Sequence, residues 1–303
     1  MAQAHRFDLT PFIVPPKKKK VKLSDYDPGY VGQIKGKKQS KETLEEDISD
    51  LAAAQELLWA SKQKSLLIVF QALDAAGKDG TIKHVLSGIN PQGCDVFSFK
   101  VPTEEERLHN FLWRPEKYIP QRGKIAIFNR SYYEEVLVVR VHPEILHYEW
   151  LPIALKNAPL DEIWKYRFKE INSWEKRLKA NGITVIKFFL NLSKEEQRKR
   201  FLDRLDTPGK QWKCSPGDFK ERVFWDQYQV VYEEMLQATS TKHAPWYVIP
   251  ADNKWYTRAV VADVITSRIE EMDLSFPEVT QEHLVSLMEV RKKLKEEGMG
   301  VTV

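Results

Sequence analysis

The 303-residue chain is 42 % hydrophobic and 11 % aromatic, enough to fill a sizeable core, which excludes a disordered tail, a collagen or a disulfide-stapled miniprotein. It carries 47 Lys and Arg against 43 Asp and Glu, a net charge of +4. Its two cysteines, Cys94 and Cys214, belong to no CxxC or Cys/His cluster, and no apolar run reaches the roughly 18–20 residues that cross a bilayer, so a reduced, cytoplasmic setting without structural zinc or membrane contact is expected.

Residues 1–39, rich in Pro, Lys and Gly, read as a basic extended arm. Residues 1–40 hold nine Lys or Arg against three Asp or Glu, with the surplus in Lys17, Lys18, Lys19, Lys20, Lys22, Lys35, Lys37 and Lys38. The plain reading is a solvated arm; the functional one is an arm that gathers a polyanion. The Pro-Lys run also resembles a nuclear-import tag. From Ser40 a helix is expected, with Leu44, Ile48, Leu51 and Leu58 on one face. Leu66-Leu67-Ile68-Val69-Phe70 is a continuous apolar run too short for a buried helix, and reads as a strand covered on both faces of a parallel sheet. Runs at 94–99, 125–128, 183–190 and 246–249 read the same way. Helices are expected between them over 78–89, 103–111 (Thr103 and Glu106 making a capping box), 161–181, 194–205 and 218–238, followed by 257–272 and 281–297. This alternation predicts an α/β domain over 40–303 in three layers, with five parallel strands, right-handed crossovers and helices on both faces.

Ligands of such sheets sit beyond the carboxyl ends of the strands. The first strand runs into Gln71-Ala72-Leu73-Asp74-Ala75-Ala76-Gly77-Lys78-Asp79-Gly80-Thr81 and then a helix. A small-residue loop closing on Gly-Lys at a helix N-terminus is the P-loop arrangement, in which amides and helix dipole face phosphate oxygens and the lysine reaches the outer phosphates. The strict pattern is damaged: Ala72 stands for the first glycine and Asp79 for the metal-binding Ser/Thr. A helix-capping loop without ligand is the bland alternative, and the strand–loop–helix context argues against it. Asp74, an acid among phosphate-binding amides, makes sense if a cation shares the site or if it polarises an acceptor. The third strand ends at Asn129-Arg130-Ser131-Tyr132-Tyr133-Glu134-Glu135, where P-loop proteins place a second acid for Mg²⁺. Here that residue is Asn, followed by an arginine able to face the same phosphates.

The segments 73–80 and 130–133, the stretch 204–218 with Pro208, Lys210, Trp212-Lys213 and Ser215-Pro216, and the Ala244-Pro245-Trp246 and Asp252-Asn253-Lys254 triplets resemble the polyphosphate kinase 2 family, collinearly from about residue 40 to 272. Tyr132-Tyr133-Glu134-Glu135-Val136-Leu137 resembles the class that uses both nucleoside mono- and diphosphates. The resemblance implies a thymidylate-kinase-like P-loop fold, inorganic polyphosphate as partner of AMP, ADP and ATP or their guanine counterparts, Mg²⁺ or Mn²⁺ as metal, and a homodimer or homotetramer. The family pattern has Asp where this chain has Asn129. Asn keeps the shape but loses the charge that holds a divalent ion, so the position reads either as a natural variant or, the favoured reading, as an introduced inactivating substitution.

Transfer between phosphates needs no strong base; the obstacle is repulsion between two polyanions, and the remedy is positive charge and in-line placement. On this reading Lys78 and the backbone of Ala75, Ala76, Gly77, Asp79, Gly80 and Thr81 hold phosphates near the transfer point. Asp74 and Asn129 mark the metal position, Arg130 neutralises the transferred group, and Lys83 is a rung of a polyphosphate track. Lys78 is expected to project into solvent when no ligand is bound. No His or Cys sits in these motifs, so attack is direct, without a phosphoenzyme. Segment 194–222 carries nine Lys or Arg against six Asp or Glu with Pro-Gly and Ser-Pro breaks, and reads as a helical lid that brings Arg200, Arg204, Lys210 and Lys213 over the phosphates. The rivals are an ATP-dependent nucleotide kinase of the P-loop class and a catalytically impaired polyanion or nucleotide binder; motifs for reading nucleic acid are absent.

Overall fold

The five apolar runs form one parallel sheet in the order β2-β3-β1-β4-β5, with β1 at Ser65–Gln71, β2 at Cys94–Ser98, β3 at Ile125–Asn129, β4 at Ile183–Asn191 and β5 at Trp246–Pro250. This is the arrangement in the computed structural model of the chain, which describes residues 7–299 other than Lys17, Gln33, Lys35 and Cys214, and leaves out the side chains of Lys37, Ser40, Lys213 and Met299. The expectations for Lys17, Lys35 and Cys214, and for the side chains of Lys37 and Lys213, therefore lie outside the described residues.

Every residue of β1 and β4 is buried because helices cover both faces of the sheet. The main helices are α1 (Lys37–Ser61), α2 (Lys78–Val85), α3 (Leu160–Ala180), α4 (Lys194–Asp206), α5 (Trp225–Thr239), α6 (Lys254–Glu270) and α7 (Gln281–Met299). Leu66, Ile68 and Phe70 point to one face, where α1, α2 and α6 supply Leu58, Ile82 and Val264. Leu67 and Val69 point to the other, where α3 and α5 supply Ile171, Trp174 and Met235. Each such side chain contributes about 1.5–3 kcal/mol on full burial. In α7, Val285, Met288 and Leu294 stay exposed.

Three helices are shorter than expected. α2 stops at Val85, and beyond it Gly88 passes so close to α1 that an added Cβ would lie 2.5 Å from Ile48 Cγ2. The capping box at Thr103 forms, yet its helix covers only Glu104–Arg107. The stretch 218–238 is split into Pro216–Glu221, a 3-10 turn at Arg222–Phe224 and α5. The break lets the Arg222 guanidinium donate to Gln197 Oε1 (2.6 Å) and the Lys194 carbonyl (3.0 Å) on α4.

The basic arm is not a solvated tail. Leu9 and Phe12 are buried in the core on one side of the sheet, and Val14, Val21 and Leu23 in the core on the other. The chain crosses between them at Ile13, which pairs antiparallel with Tyr247 along the free edge of β5, and Val14 N–H donates to the Trp246 carbonyl (2.9 Å). A sheet edge needs such a cover, since its unpaired N–H and C=O groups otherwise recruit other strands. Farther on, the Pro28 carbonyl accepts from Asp252 N–H (3.0 Å), and Asn191 donates to the Tyr26 carbonyl (2.7 Å), so the arm ends against the carboxyl ends of β4 and β5. Deleting residues 1–34 should therefore destabilise the fold by at least about 5 kcal/mol, since five apolar side chains leave the core. Denaturant melts of full-length and truncated chains check this; matching midpoints would return the arm to a solvated role.

Candidate active site

β1 delivers the chain into a loop that no regular element can supply. Ala75 (φ +64°) and Gly77 (φ +101°) are both left-handed. Gly77 takes that conformation freely, whereas Ala75 is strained by it and needs outside support. Arg200 of α4 gives that support. Its Nη1 donates to the Ala75 and Ala76 carbonyls (3.1 and 2.9 Å), its Nη2 to the Ala251 and Asp252 carbonyls (2.6 and 2.9 Å), and its Nε to Glu196 (2.9 Å). Gln197 adds a bond to the Asp74 carbonyl (2.9 Å). With all five N–H donors spent and only 6 % of its surface exposed, Arg200 is a clamp on the loop, not the lid-borne phosphate ligand expected from its charge.

Lys78 also departs from expectation. Its Nζ turns inward and donates to the Ala72 carbonyl (2.8 Å), and the side chain is buried instead of projecting into solvent. Burial pushes its ionisation below the ordinary lysine range, with Asp74 the strongest opposing influence. The Ala72 carbonyl is a neutral partner for one of its three N–H donors, which a phosphate oxygen would displace. The amides of Lys78, Asp79 and Gly80, in the first turn of α2, are the open donors. Thr81 is not one of them: its N–H is spent on the Gly77 carbonyl (2.9 Å), and its side chain is buried. Ala76 N–H likewise donates to the Leu73 carbonyl (3.3 Å).

β3 lies beside β1 with Asn129 opposite Phe70, which brings the two strand ends together. Asn129 Nδ2 donates to Asp79 Oδ1 (2.6 Å), and Arg130 donates to Asp74 Oδ1 (3.1 Å). The expected pairing of Asp74 with Asn129 is thus replaced by two crossed pairs, because an amide beside a carboxylate satisfies itself without a cation. Arg130 holds its place with a left-handed backbone (φ +62°) and an N–H bond to the Phe70 carbonyl (3.1 Å). Among the described residues no three His, Cys, Asp or Glu side chains form a ready-made metal cage.

Beside this junction opens a cavity of about 230 Å³, running from Asp74 and Arg130 past Glu134 to Asp218, Tyr228 and Tyr232. Burial raises the Glu134 carboxyl above its ordinary range, opposed chiefly by Arg130 and then Lys78. Burial also pushes up the Tyr228 and Tyr232 hydroxyls, so both remain neutral donors; Tyr228 donates to Glu221 (2.8 Å). Sequence reasoning missed this wall. Its tyrosines sit on α5 in i, i+4 spacing, a signal that also fits an ordinary core face.

The opposite side of the loop is basic. Arg258 of α6 approaches Gly80, its Nη2 lying 3.7 Å from where a Cβ would stand. Its Nε is buried without a hydrogen-bond partner, and burial lowers its ionisation. Lys254, one turn earlier, is lowered by burial and then by the neighbouring Arg200 charge. Neither makes an ion pair among the described residues, and neither was singled out as a ligand, although Arg258 is the lone charge between residues 255 and 262. Lys83 is exposed on α2, on the same helix as the open amides. Arg204 lies over the Phe201 ring (5.8 Å), and its charge acts on Asp218 of the cavity wall, while Lys210 pairs with Asp203 (3.0 Å) of α4. His84 Nδ1 bonds the Gly80 carbonyl (2.7 Å) one turn back along α2, and burial pushes the Cys94 thiol up to about 12, so the thiol offers no nucleophile.

The family model described as polyphosphate kinase 2 matches residues 34–277. The chain is 48 % identical over 268 residues to an ADP-polyphosphate phosphotransferase of Rhodopseudomonas palustris, covering 88 % of this chain and 91 % of that protein. It is 42 % identical over 257 residues to an AMP/ADP-polyphosphate phosphotransferase of Meiothermus ruber, covering 84 % and 91 %. Among solved structures, polyphosphate kinase 2 from Arthrobacter aurescens superposes with a TM-score of 0.81 at 37 % identity, over 93 % of this chain and 98 % of that one.

Proposed function

The chain belongs to the polyphosphate kinase 2 family, and from that premise we propose that it transfers a phosphoryl group between inorganic polyphosphate and AMP or ADP, by direct attack of one phosphate on another. The observation that carries the reading is the junction of a P-loop, a basic flank and a separate cavity at the ends of β1 and β3.

Donor phosphates lie over the first-turn amides of α2. Lys78 exchanges the Ala72 carbonyl for a phosphate oxygen there, and Arg258, Lys254 and Lys83 extend the positive surface along the chain of phosphates. The acceptor nucleotide occupies the cavity, its terminal phosphate against Arg130. A direct transfer needs both ends in line, which the shared edge at Asp74 and Arg130 provides. Guanine nucleotides are accepted on the same phosphate contacts.

The cavity sets the carboxylates of Asp74, Glu134, Asp218 and Glu221 against the guanidinia of Arg130 and Arg222, an acidic lining for a ligand that is itself anionic. A divalent cation at the cavity's edge would ease that conflict, and the hard oxygens of Asp74 there, with Asp79 and Asn129 of the adjoining pair, would suit Mg²⁺ or Mn²⁺. Bound there, the metal would screen charge on the transferred group. With an amide at position 129 the site is impaired. A cytoplasmic homodimer or homotetramer is the proposed assembly, supported by exposed Tyr148, Trp150 and Ile153; among the described residues no helix is long and apolar enough to cross a membrane.

The proposed lid narrows from 194–222 to the stretch around 207–211, because Gln197 and Arg200 tie α4 to the loop. Gly209 is left-handed (φ +82°) with open space around it. Trypsin should cut the free protein first at Lys210, and polyphosphate with ADP should slow that cut at least fivefold. Equal cutting with and without ligand makes the segment a plain surface loop.

The donor swap tests the function itself. With polyphosphate and ADP the chain should form ATP, and with ATP and AMP in place of polyphosphate the initial rate should be at least tenfold lower. The reverse order would favour an ATP-dependent nucleotide kinase.

A further inference from the structure

The turn that carries Arg130 and Glu134 stands on a buried ionic cluster away from both the loop and the cavity. Lys187, in the middle of β4, and Glu175, on α3, pair at 2.8 Å with both side chains wholly excluded from solvent. Lys187 Nζ also donates to the Tyr133 hydroxyl (2.9 Å) and the Thr239 carbonyl (2.7 Å), which uses all three of its hydrogens. The other Glu175 oxygen accepts from the hydroxyls of Tyr132 (2.8 Å) and Tyr133 (2.7 Å). The Tyr133 ring is braced edge-on by Trp246 at 4.7 Å, whose indole N–H donates to Thr239 Oγ1 (2.9 Å). The double tyrosine therefore faces into the protein and touches no part of the cavity.

A buried ion pair is weak evidence for stability, since packed apolar side chains of similar volume often serve as well or better. A fully satisfied polar cluster does select one geometry out of several packings. The geometry selected here is that of the 3-10 turn Tyr132–Val136. Arg130, with its left-handed backbone, stands two residues before the first tyrosine, and Glu134 directly follows the second. Ser131 joins them to β1: its Oγ accepts from Tyr133 N–H (3.1 Å) and Gln71 Nε2 (3.1 Å). At the far end of the turn Arg167 donates to the Glu135 carbonyl (2.6 Å). The near end, where the two cavity residues lie, is held by the tyrosine hydroxyls.

We infer that Lys187 and Glu175 are positioning residues of the acceptor site: through the hydroxyls of Tyr132 and Tyr133 they lock the turn that aims Arg130 and Glu134 into the cavity. The inference rests on the proposed use of that cavity for the acceptor nucleotide.

The test is a variant carrying Lys187→Met, Glu175→Leu, Tyr132→Phe and Tyr133→Phe, which makes the cluster apolar and strands neither charge. Two readouts are taken. Amide hydrogen exchange across residues 130–137 of the unliganded protein reports the turn whatever the enzyme does, and it should speed at least tenfold while β1 and β4 amides stay within twofold. In transfer assays the KM for ADP should rise at least fivefold and the KM for polyphosphate stay within twofold. Unchanged exchange in the turn, or equal rises in both KM values, overturns the inference. Should the fourfold variant not fold, Tyr132→Phe alone decides: it keeps the ion pair and the ring, and a KM for ADP that does not rise with it overturns the inference as well. A parent chain that makes no ATP from polyphosphate would count against the functional reading, and the exchange result would still judge the positioning role.

Discussion

Replacing Lys78 with alanine is expected to lower transfer by at least about 10²–10³-fold while leaving the fold intact. The ammonium is the one side-chain cation inside the loop, and removing a single charge-stabilising donor from a transition state costs about 3–4 kcal/mol. Stability should move the other way or not at all. The unliganded protein holds Lys78 buried, with one hydrogen bond to the Ala72 carbonyl, and burial lowers its ionisation. The penalty for keeping it charged is full below its folded-state value, and disappears above the ordinary lysine range, where folded and unfolded chains are both neutral at this position. Lys78→Met, which fills the same space, should therefore gain most in melting temperature at neutral pH and least near pH 11. A variant that keeps a tenth of the parent rate would remove Lys78 from the transfer step.

Asn129→Asp should raise the transfer rate by roughly 10²–10⁴, equivalent to about 3–5 kcal/mol for one metal or charge contact. The contact that Asn129 makes now explains why the effect is large. Its amide donates to Asp79 at 2.6 Å, so the site is content without a cation. A carboxylate in the same place meets a second carboxylate, and only a shared proton or a metal ion relieves that contact. The variant should accordingly melt lower than the parent in chelator and recover when Mg²⁺ is added, whereas the parent should respond weakly. Chelation should also abolish the gain in rate. A change below threefold, with no Mg²⁺-dependent shift in melting, would mean that position 129 takes no part in holding the metal.

The sheet was legible because its signal is local. All five apolar runs became strands. Four are covered as expected, whereas β2 is an edge strand, and its residues stay half-buried or exposed because β3 alone flanks it. The P-loop was legible as a pattern, since Gly77-Lys78 closes a small-residue loop ahead of a helix. What side chains do within such a pattern was not. Arg200 carries the same charge as a phosphate ligand, and nothing in its neighbours reveals that it turns toward four backbone carbonyls. Asp79 looked like a lost Ser/Thr and proved to be the partner of Asn129, from a strand fifty residues away. In the arm, lysines outnumber the apolar residues that matter. Leu9, Phe12, Val14, Val21 and Leu23 follow neither helical nor strand spacing, because the segment crosses a sheet edge and serves two cores in turn. Lys254 and Arg258 were hidden by their position on a helix that is otherwise core.

The arrangement of donor and acceptor is the claim on which everything else depends, and the slow turnover proposed for the chain with Asn129 would make it directly observable. A crystal structure of the chain with long-chain polyphosphate and ADP bound together should show phosphates over the first turn of α2, with Lys78 turned from the Ala72 carbonyl toward them and the chain leading to Arg258. The ADP should lie in the cavity against Tyr228 and Tyr232, with its terminal phosphate at Arg130. A nucleotide triphosphate wrapped by the P-loop, with the cavity empty and no phosphate near Arg258, would contradict it.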